Sequence, residues 1–416
     1  MSNKFLTDDI IVKEALRLLV NNCVTLSLVY RDYEKRFGKV GDTISLELPY
    51  RTKTAAGPVL QLQPLVDLSE PFKINNHEHF GLDFSQKARR LEIQNFSSRY
   101  LHSGMVQLGN VVDRSVLLTL RNVFFSTGIP GTTPGNYLAW ATAGAYQTDL
   151  AVPNDGMRRA VVNPITCAVL SDQFKNLNNS KGLDTIVPKG YKGDVYDYSF
   201  HETQNLPTHT VGTYTGSTPL IDGASQTGTS IVTDGWAVST KVLNAGDVIR
   251  IGGVHSVNPQ NYETTGHLMQ FVVQNDVTST AGGAATIVVN QINDGTLTTT
   301  NETGDVISLQ AYQNVTNAPA DNAAIEVMGQ SGATYRQDYL FHKEAIALAM
   351  IDFELPETAV VAKRVRDPET GASMTLTGFF DGINYRQVYR IDVMWGVHLI
   401  YPELAMRMWG ASPESL

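Results

Sequence analysis

The feature that most constrains this chain is a block with a different texture from its surroundings. Residues 213–332 hold 10 Asp and Glu but only two basic residues, Lys241 and Arg250. Short apolar pieces such as Asp247-Val248-Ile249-Arg250-Ile251, Gln270-Phe271-Val272-Val273, Thr286-Ile287-Val288-Val289 and Asp305-Val306-Ile307-Ser308-Leu309 alternate with Gly, Asn and Asp turns. Several short strands with frequent turns predict a small barrel or sandwich. A composition break at both ends reads as an inserted domain, with one discontinuous domain around it. At 120 residues the block is long enough for its own core.

The flanks read differently. Residues 1–128 carry 16 basic and 13 acidic residues. Thr7 caps a predicted first helix, with Asp8 and Asp9 in its first turn. Its apolar stripe is Ile11, Val12, Ala15, Leu16, Leu18 and Leu19, and Asn21-Asn22 ends it. Ile44, Leu46 and Leu48 alternate with Thr43, Ser45 and Glu47, predicting a strand closed by Pro49. Phe72 and Ile74 mark a strand-like piece, and Phe80, Leu82 and Phe84 a second alternation. The polar arm from Tyr50 to Ser69 lies between, so the expectation is an extended hairpin that buries little by itself and packs on something else. Met105, Leu108, Val112, Val116, Leu120 and Val123 then fall on one helical face. With Arg89–Tyr100 this predicts a helix of about 30 residues, about 45 Å long, although Gly104 and Gly109 weaken its continuity. A helix around Tyr137–Tyr146, a strand at Arg159–Asn163 and a helix from Ile165 to about Leu177 follow. Beyond the block, Glu344–Met350 is helix-compatible. Ile351–Leu355, Val388–Ile391 and Val393–Val397 are strand-like.

Chemistry is sparse. His77-Glu78-His79 places two imidazoles on one strand face without a third ligand, so exposed strand histidines are preferred to a metal site. Cys23 and Cys167 have no metal or redox spacing, which fits a reducing cytosol, and Cys167 reads as a small buried hydrophobe. Gly252-Gly253 and Gly282-Gly283 lack the following helix of a phosphate cradle. No apolar run approaches the roughly 20 residues of a membrane span, and no secretory signal is expected. The net charge of −9 disfavours a phosphate-seeking chain; Arg89-Arg90 reads as a solvated pair. Neither an enzyme nor a cofactor is expected. Arg51 and Lys53 on the arm are candidates for ion pairs with another subunit. Lys363, Arg364 and Arg366 form the densest basic cluster, read as inter-subunit salt bridges or simple solvation beside Asp367 and Glu369.

Particular strings extend this reading. Gly246-Asp247-Val248-Ile249-Arg250-Ile251-Gly252-Gly253-Val254, with Ser256-Val257-Asn258-Pro259 after it, resembles the inserted domain of tailed-phage major coat proteins. Phe341-His342-Lys343-Glu344-Ala345 and Glu354-Leu355-Pro356 resemble the segment re-entering their main domain. Arg390-Ile391-Asp392-Val393-Met394-Trp395-Gly396 and Tyr401-Pro402-Glu403-Leu404-Ala405-Met406-Arg407 are similar to their C-terminal signature, with Tyr401 where an Arg is usual. Gly41-Asp42-Thr43-Ile44 and Val162-Asn163-Pro164 also fit.

The family that these strings resemble is the Salmonella podovirus-type coat protein. The resemblance implies an α+β, Hong Kong 97-type capsid fold with an extra β-barrel. It divides the chain into an N-terminal arm (1–40), an extended hairpin loop (41–85), a spine helix of the peripheral domain (86–128), the first part of an axial domain (129–212), the inserted β-barrel (213–332) and a return to the axial and peripheral domains (333–416). It further implies hexamers and pentamers of a closed icosahedral shell around double-stranded DNA, held non-specifically. Scaffolding and portal proteins, and a decoration protein, are the implied partners, with no membrane. The place is the virion capsid, assembled in the bacterial host cytoplasm. An extracellular β-rich adhesin or glycan-binding protein is the alternative, since it shares the Thr- and Gly-rich texture.

Overall fold

The computed structural model describes residues 8–33, 43–54, 57–59, 68–85, 101–174, 194–195, 197–300 and 306–413. The chain forms two compact units, one built from residues 1–46, 70–119 and 346–400, the other from 47–69, 120–345 and 401–416.

The first unit centres on a five-stranded antiparallel sheet. Its longest strand, Arg386–Leu399, pairs with Ile346–Met350, Ser373–Asp381 and Asn76–Ser85; Val361–Arg366 closes one edge against Ser373–Asp381. Helix α1 (Asp8–Asn22) ends where the Asn pair predicts and buries Val12, Ala15, Leu16, Leu18 and Leu19. Helix α2 (His102–Thr119) buries Met105, Leu108, Val112 and Val116, the predicted stripe. Its glycines have a packing reason. A Cβ on Gly104 would lie 2.3 Å from the Phe80 ring, and one on Gly109 3.2 Å from the Cys23 sulfur. Asp113, fully buried on α2, accepts bonds from the amides of Val24 and Thr25 and from the Thr25 hydroxyl, tying the chain after α1 to the helix.

Five expectations change. The strand Thr43–Glu47 pairs with Ser69–Lys73, whereas the alternation at Phe80, Leu82 and Phe84 belongs to the five-stranded sheet. The long helix stops at Thr119 and passes into a 3-10 turn at Leu120–Asn122, short of residue 128; Arg89–Tyr100 lies outside the described residues. Ile346–Met350 is a strand with all five residues buried, because pairing with Trp395–Leu399 outweighs the helix propensity of its Ala, Leu and Met. Ile351–Leu355 is not a strand. Val388–Ile391 and Val393–Val397 merge into one strand.

The second unit contains a seven-stranded mixed sheet, in which Thr334–His342 lies between Ala405–Trp409 and Arg158–Val162. Helices α3 (Tyr137–Asp149) and α4 (Pro164–Phe174) follow the prediction closely, and Asn136 caps α3 through the Leu138 amide. Within 213–332, two three-stranded sheets close on each other. One orders Thr264–Val272, Val248–Val257 and Ile325–Val327; the other orders Ala285–Ile292, Gly228–Asp234 and Leu220–Ile221. Isolated bridges, Leu220 with Ala324 and Val273 with Val289, join both pairs of edges. The six strands therefore form a closed ring, which removes exposed sheet edges. Ile231, Ile249, Ile251, Phe271, Val273, Ile287, Val289 and Ile325 are buried there, and the same buried cluster continues to Trp140, Leu340 and Trp409.

Candidate assembly surfaces

The join between the ring and the mixed sheet is built on one turn. Gly246 has φ +94 and leaves no room for a side chain, since a Cβ would meet Arg121 Nε at 2.6 Å. Its carbonyl accepts from Arg407, which also donates to the carbonyls of Val123 and Arg121. Arg121 in turn donates to Ala245 O at 2.9 Å. The next residue, Asp247, is fully buried. It accepts from the Gly212 amide (3.0 Å) and the Asn244 amide (2.7 Å), and sits 2.6 Å from His209 Nε2. Burial holds the His209 pKa below its ordinary value, against the pull of Asp247. The Gln270 side chain clasps both backbone polar groups of Ser126, at 2.8 Å each. The buried Arg407 guanidinium bonds only backbone carbonyls, and the buried Asp247 carboxylate bonds two backbone amides and the His209 ring, so both fix the geometry of this turn. The Gly246-Asp247 string was visible in the sequence; its partners at 121, 209 and 407 were not, because no local period links them.

The arm candidates also find partners inside the chain. Arg51 pairs with Glu403 and stands 5.7 Å from the centre of the Tyr312 ring. Lys53 Nζ stands 4.7 Å from the Tyr262 ring centre. Lys363, Arg364 and Arg366 lie on the edge strand Val361–Arg366, all exposed. Arg366 reaches the Met350 carbonyl at 3.4 Å. Charges on an edge strand discourage edge-to-edge pairing, so this position suits a controlled contact better than a sticky one.

Sequence reasoning missed the hairpin tip between Ser373–Asp381 and Arg386–Leu399. Phe379, Phe380, Ile383 (95% exposed) and Tyr385 stand open there, with the Phe380 and Tyr385 rings edge to face at 5.5 Å. The tip is held in shape. Asp381 accepts from the amides of Ile383 and Asn384, the Asn384 side chain and Arg386 Nε. Those donors, the Asn384 side chain first, hold its pKa down at about 2. An exposed apolar cluster on a hydrogen-bonded turn is a candidate contact site. Alternation alone did not reveal it, because the same residue types build buried strands.

His77 bonds Asp392 at 2.8 Å, its ring centre 6.4 Å from that of His79. Among the described residues, no group of three ligating side chains gathers. Cys23 and Cys167 are buried and not joined in a disulfide. No helix of the described residues is long and apolar enough to cross a membrane.

Residues 204–410 match the family model described as P22 coat protein, gene protein 5. No curated protein matches the chain. Among solved structures, one from Mycobacterium phage Che8 is similar at 12% identity, with 93% of this chain and 90% of that one covered and a TM-score of 0.47. The capsid of Cyanophage P-SCSP1u is similar at 10% identity, with 93% and 87% covered and a TM-score of 0.43. A structure titled CUS-3 coat protein I-domain shares 22% identity, covering 27% of this chain and 96% of that one, at a TM-score of 0.18.

Proposed function

We infer that this chain, a tailed-phage major capsid protein by its P22-type coat pattern over residues 204–410, builds a closed shell from many copies of itself. The observation that carries the reading is where the match falls. It spans the ring of strands, the Gly246-Asp247 join, the mixed-sheet strand Thr334–His342 and the long strand Arg386–Leu399. The match lends nothing to the adhesin alternative.

The fold is of the Hong Kong 97 type, and residues 213–332 are its inserted domain. Copies gather into hexamers and pentamers, with scaffolding, portal and decoration proteins as partners. Assembly takes place in the bacterial cytoplasm and yields virions enclosing double-stranded DNA. Two physical features support it. The rigid apolar tip at Phe379–Tyr385 suits burial against another copy in a closed symmetric assembly, where each contact repeats. The excess of acid in 213–332 repels phosphate, so that segment belongs away from packaged DNA. Lys363, Arg364 and Arg366 are proposed as rim contacts between copies, each ion pair adding about 0–1 kcal/mol.

Electron microscopy of the purified protein, with light scattering across assembly conditions, tests the reading. Rings, capsomers or shells are the expected result. Dispersed monomer under every condition, with added scaffolding protein included, overturns it.

A further inference from the structure

Arg51 and Lys53 alternate with Thr52 and Thr54 along an extended stretch. The two basic side chains are half-buried while both threonines are exposed. Alternation of that kind means one side of the stretch is seated. Its seat has three parts. The first is Tyr262, in the turn between Val248–Val257 and Thr264–Val272. Tyr262 takes φ +59, a conformation costly for an aromatic residue. Asn258 holds this turn. Its side chain accepts from the amides of Gln260 and Asn261 and donates to the Asp149 carbonyl at 2.7 Å, while its backbone carbonyl takes the Tyr262 amide. The Tyr262 hydroxyl lies 3.2 Å from the Thr52 carbonyl and 3.1 Å from the Ala311 carbonyl.

The second part is Tyr312, whose ring faces Arg51 and whose hydroxyl accepts from the Arg51 amide at 3.4 Å. The third is Glu403, the partner of the Arg51 guanidinium. The returning limb is seated as well. Leu68 packs on a small core of Ile307 and Leu309 together with Leu297 and Tyr312, and the Leu48 amide bonds the Leu68 carbonyl at 2.8 Å. The electrostatics agree, since two cations meet a segment rich in acid and two ring faces, which attract cations.

We propose that Tyr262, Tyr312 and Glu403 form a receptor for a basic extended strand, occupied by residues 51–53 of the same chain. Residues 213–332, with Glu403, thereby hold residues 51–53 in place. Arg51 and Lys53 anchor this extended stretch to its own chain. The meaning for the shell rests on the capsid reading; the seat itself does not.

Trypsin reads the seat directly, because it must take up the Arg51 or Lys53 side chain to cut. The probe is the unassembled full-length chain. In the Tyr262→Ala/Tyr312→Ala variant, cleavage after Arg51 and Lys53 should rise roughly tenfold, the loss of two partly exposed cation–ring contacts. Cleavage after the exposed Lys241 serves as the internal reference and should not change, which also reports that the strand Lys241–Leu243 and its pairing with Val277–Thr278 remain folded. Tyr312→Phe keeps the ring and its packing on Ile307 and Leu309, and should retain most of the protection. Equal cleavage at 51 and 53 in wild type and double variant overturns the proposal, as does a Tyr312→Phe variant cut as fast as Tyr312→Ala. A wild-type chain that never assembles, yet shows the protection pattern, overturns the capsid reading and leaves the seat standing.

Discussion

The five-stranded sheet of the first unit and the strand ring of the second show two ways of holding β-structure. In the sheet, Arg386–Leu399 is paired without a slip, from Arg386 with Ser85 to Trp395 with Asn76, and from Thr375 with Asp392 to Asp381 with Arg386. Its central positions are buried and apolar, including Leu376, Ile391, Val393 and Trp395. In the ring, pairings slip between Gly228 and Ser230, and twice between Arg250 and Val257. Side chains supply the bonds the ladder lacks. Gln226 bonds both the amide and the carbonyl of Val232, Asn293 donates to the Leu309 carbonyl, and Asn314 accepts from the Asn293 amide. Backbone polar groups must be satisfied either way. A long regular ladder does so through burial of flat apolar faces. A short, bent strand does so with Asn, Gln, Asp and Thr, which explains the texture of 213–332.

The comparison breaks most clearly if each region is attacked at its own support. Trp395→Ala should be the largest effect, since Trp395 is buried and its indole donates to Ser115 at 2.6 Å. A loss of about 3–5 kcal/mol is expected from such a truncation, read by denaturant unfolding. A loss under about 1 kcal/mol would show that apolar burial is not what holds the sheet. Asp247→Ala attacks the second unit. It strands the Gly212 and Asn244 amides and His209, each costing about 1–3 kcal/mol when buried without a partner. Partial relaxation brings the expected total to about 2–4 kcal/mol. Protection from hydrogen exchange should fall first around Gly212 and Asn244; uniform loss would mean the turn is not the join.

Asp338 sharpens the contrast by pH. It is fully buried on the mixed sheet, accepting from Asn163 and Thr166. Burial dominates those bonds and raises its pKa from 3.8 to about 6. The folded state therefore holds the proton more tightly than the unfolded chain. The stabilisation is complete below about pH 4 and is lost as pH rises through about 6. Asp338→Asn should flatten the stability profile in that window; an unchanged slope would exclude Asp338 as its source. Asp381 has the opposite sign. Its depressed pKa means stabilisation present above pH 3.8 and lost as pH falls toward 2. The group sits on a surface hairpin tip, so the effect is local and the smallest of the four. Asp381→Ala should speed amide exchange at Ile383 and Asn384 while leaving global unfolding unchanged.

Much of this fold was legible in the sequence where one face of one element carries the signal. The stripes of α1 and α2, the limits of α3 and the short strands of 213–332 follow from local periods, which need no knowledge of the partner. The coat-like strings were legible too, and the match over 204–410 includes most of them. What tertiary structure decided is pairing. Ser69–Lys73 rather than Asn76–Ser85 meets Thr43–Glu47, because both pieces alternate alike and only the long strand at 386–399 distinguishes them. Ile346–Met350 becomes a strand because its neighbours bury all five residues. In sequence Arg51 and Lys53 read as candidates for ion pairs with another subunit. Only the fold brings Tyr262, Tyr312 and Glu403, hundreds of residues away, to meet them. A periodic pattern states which face is apolar; which distant group covers it, or bonds to a buried charge, depends on contacts that no local pattern encodes.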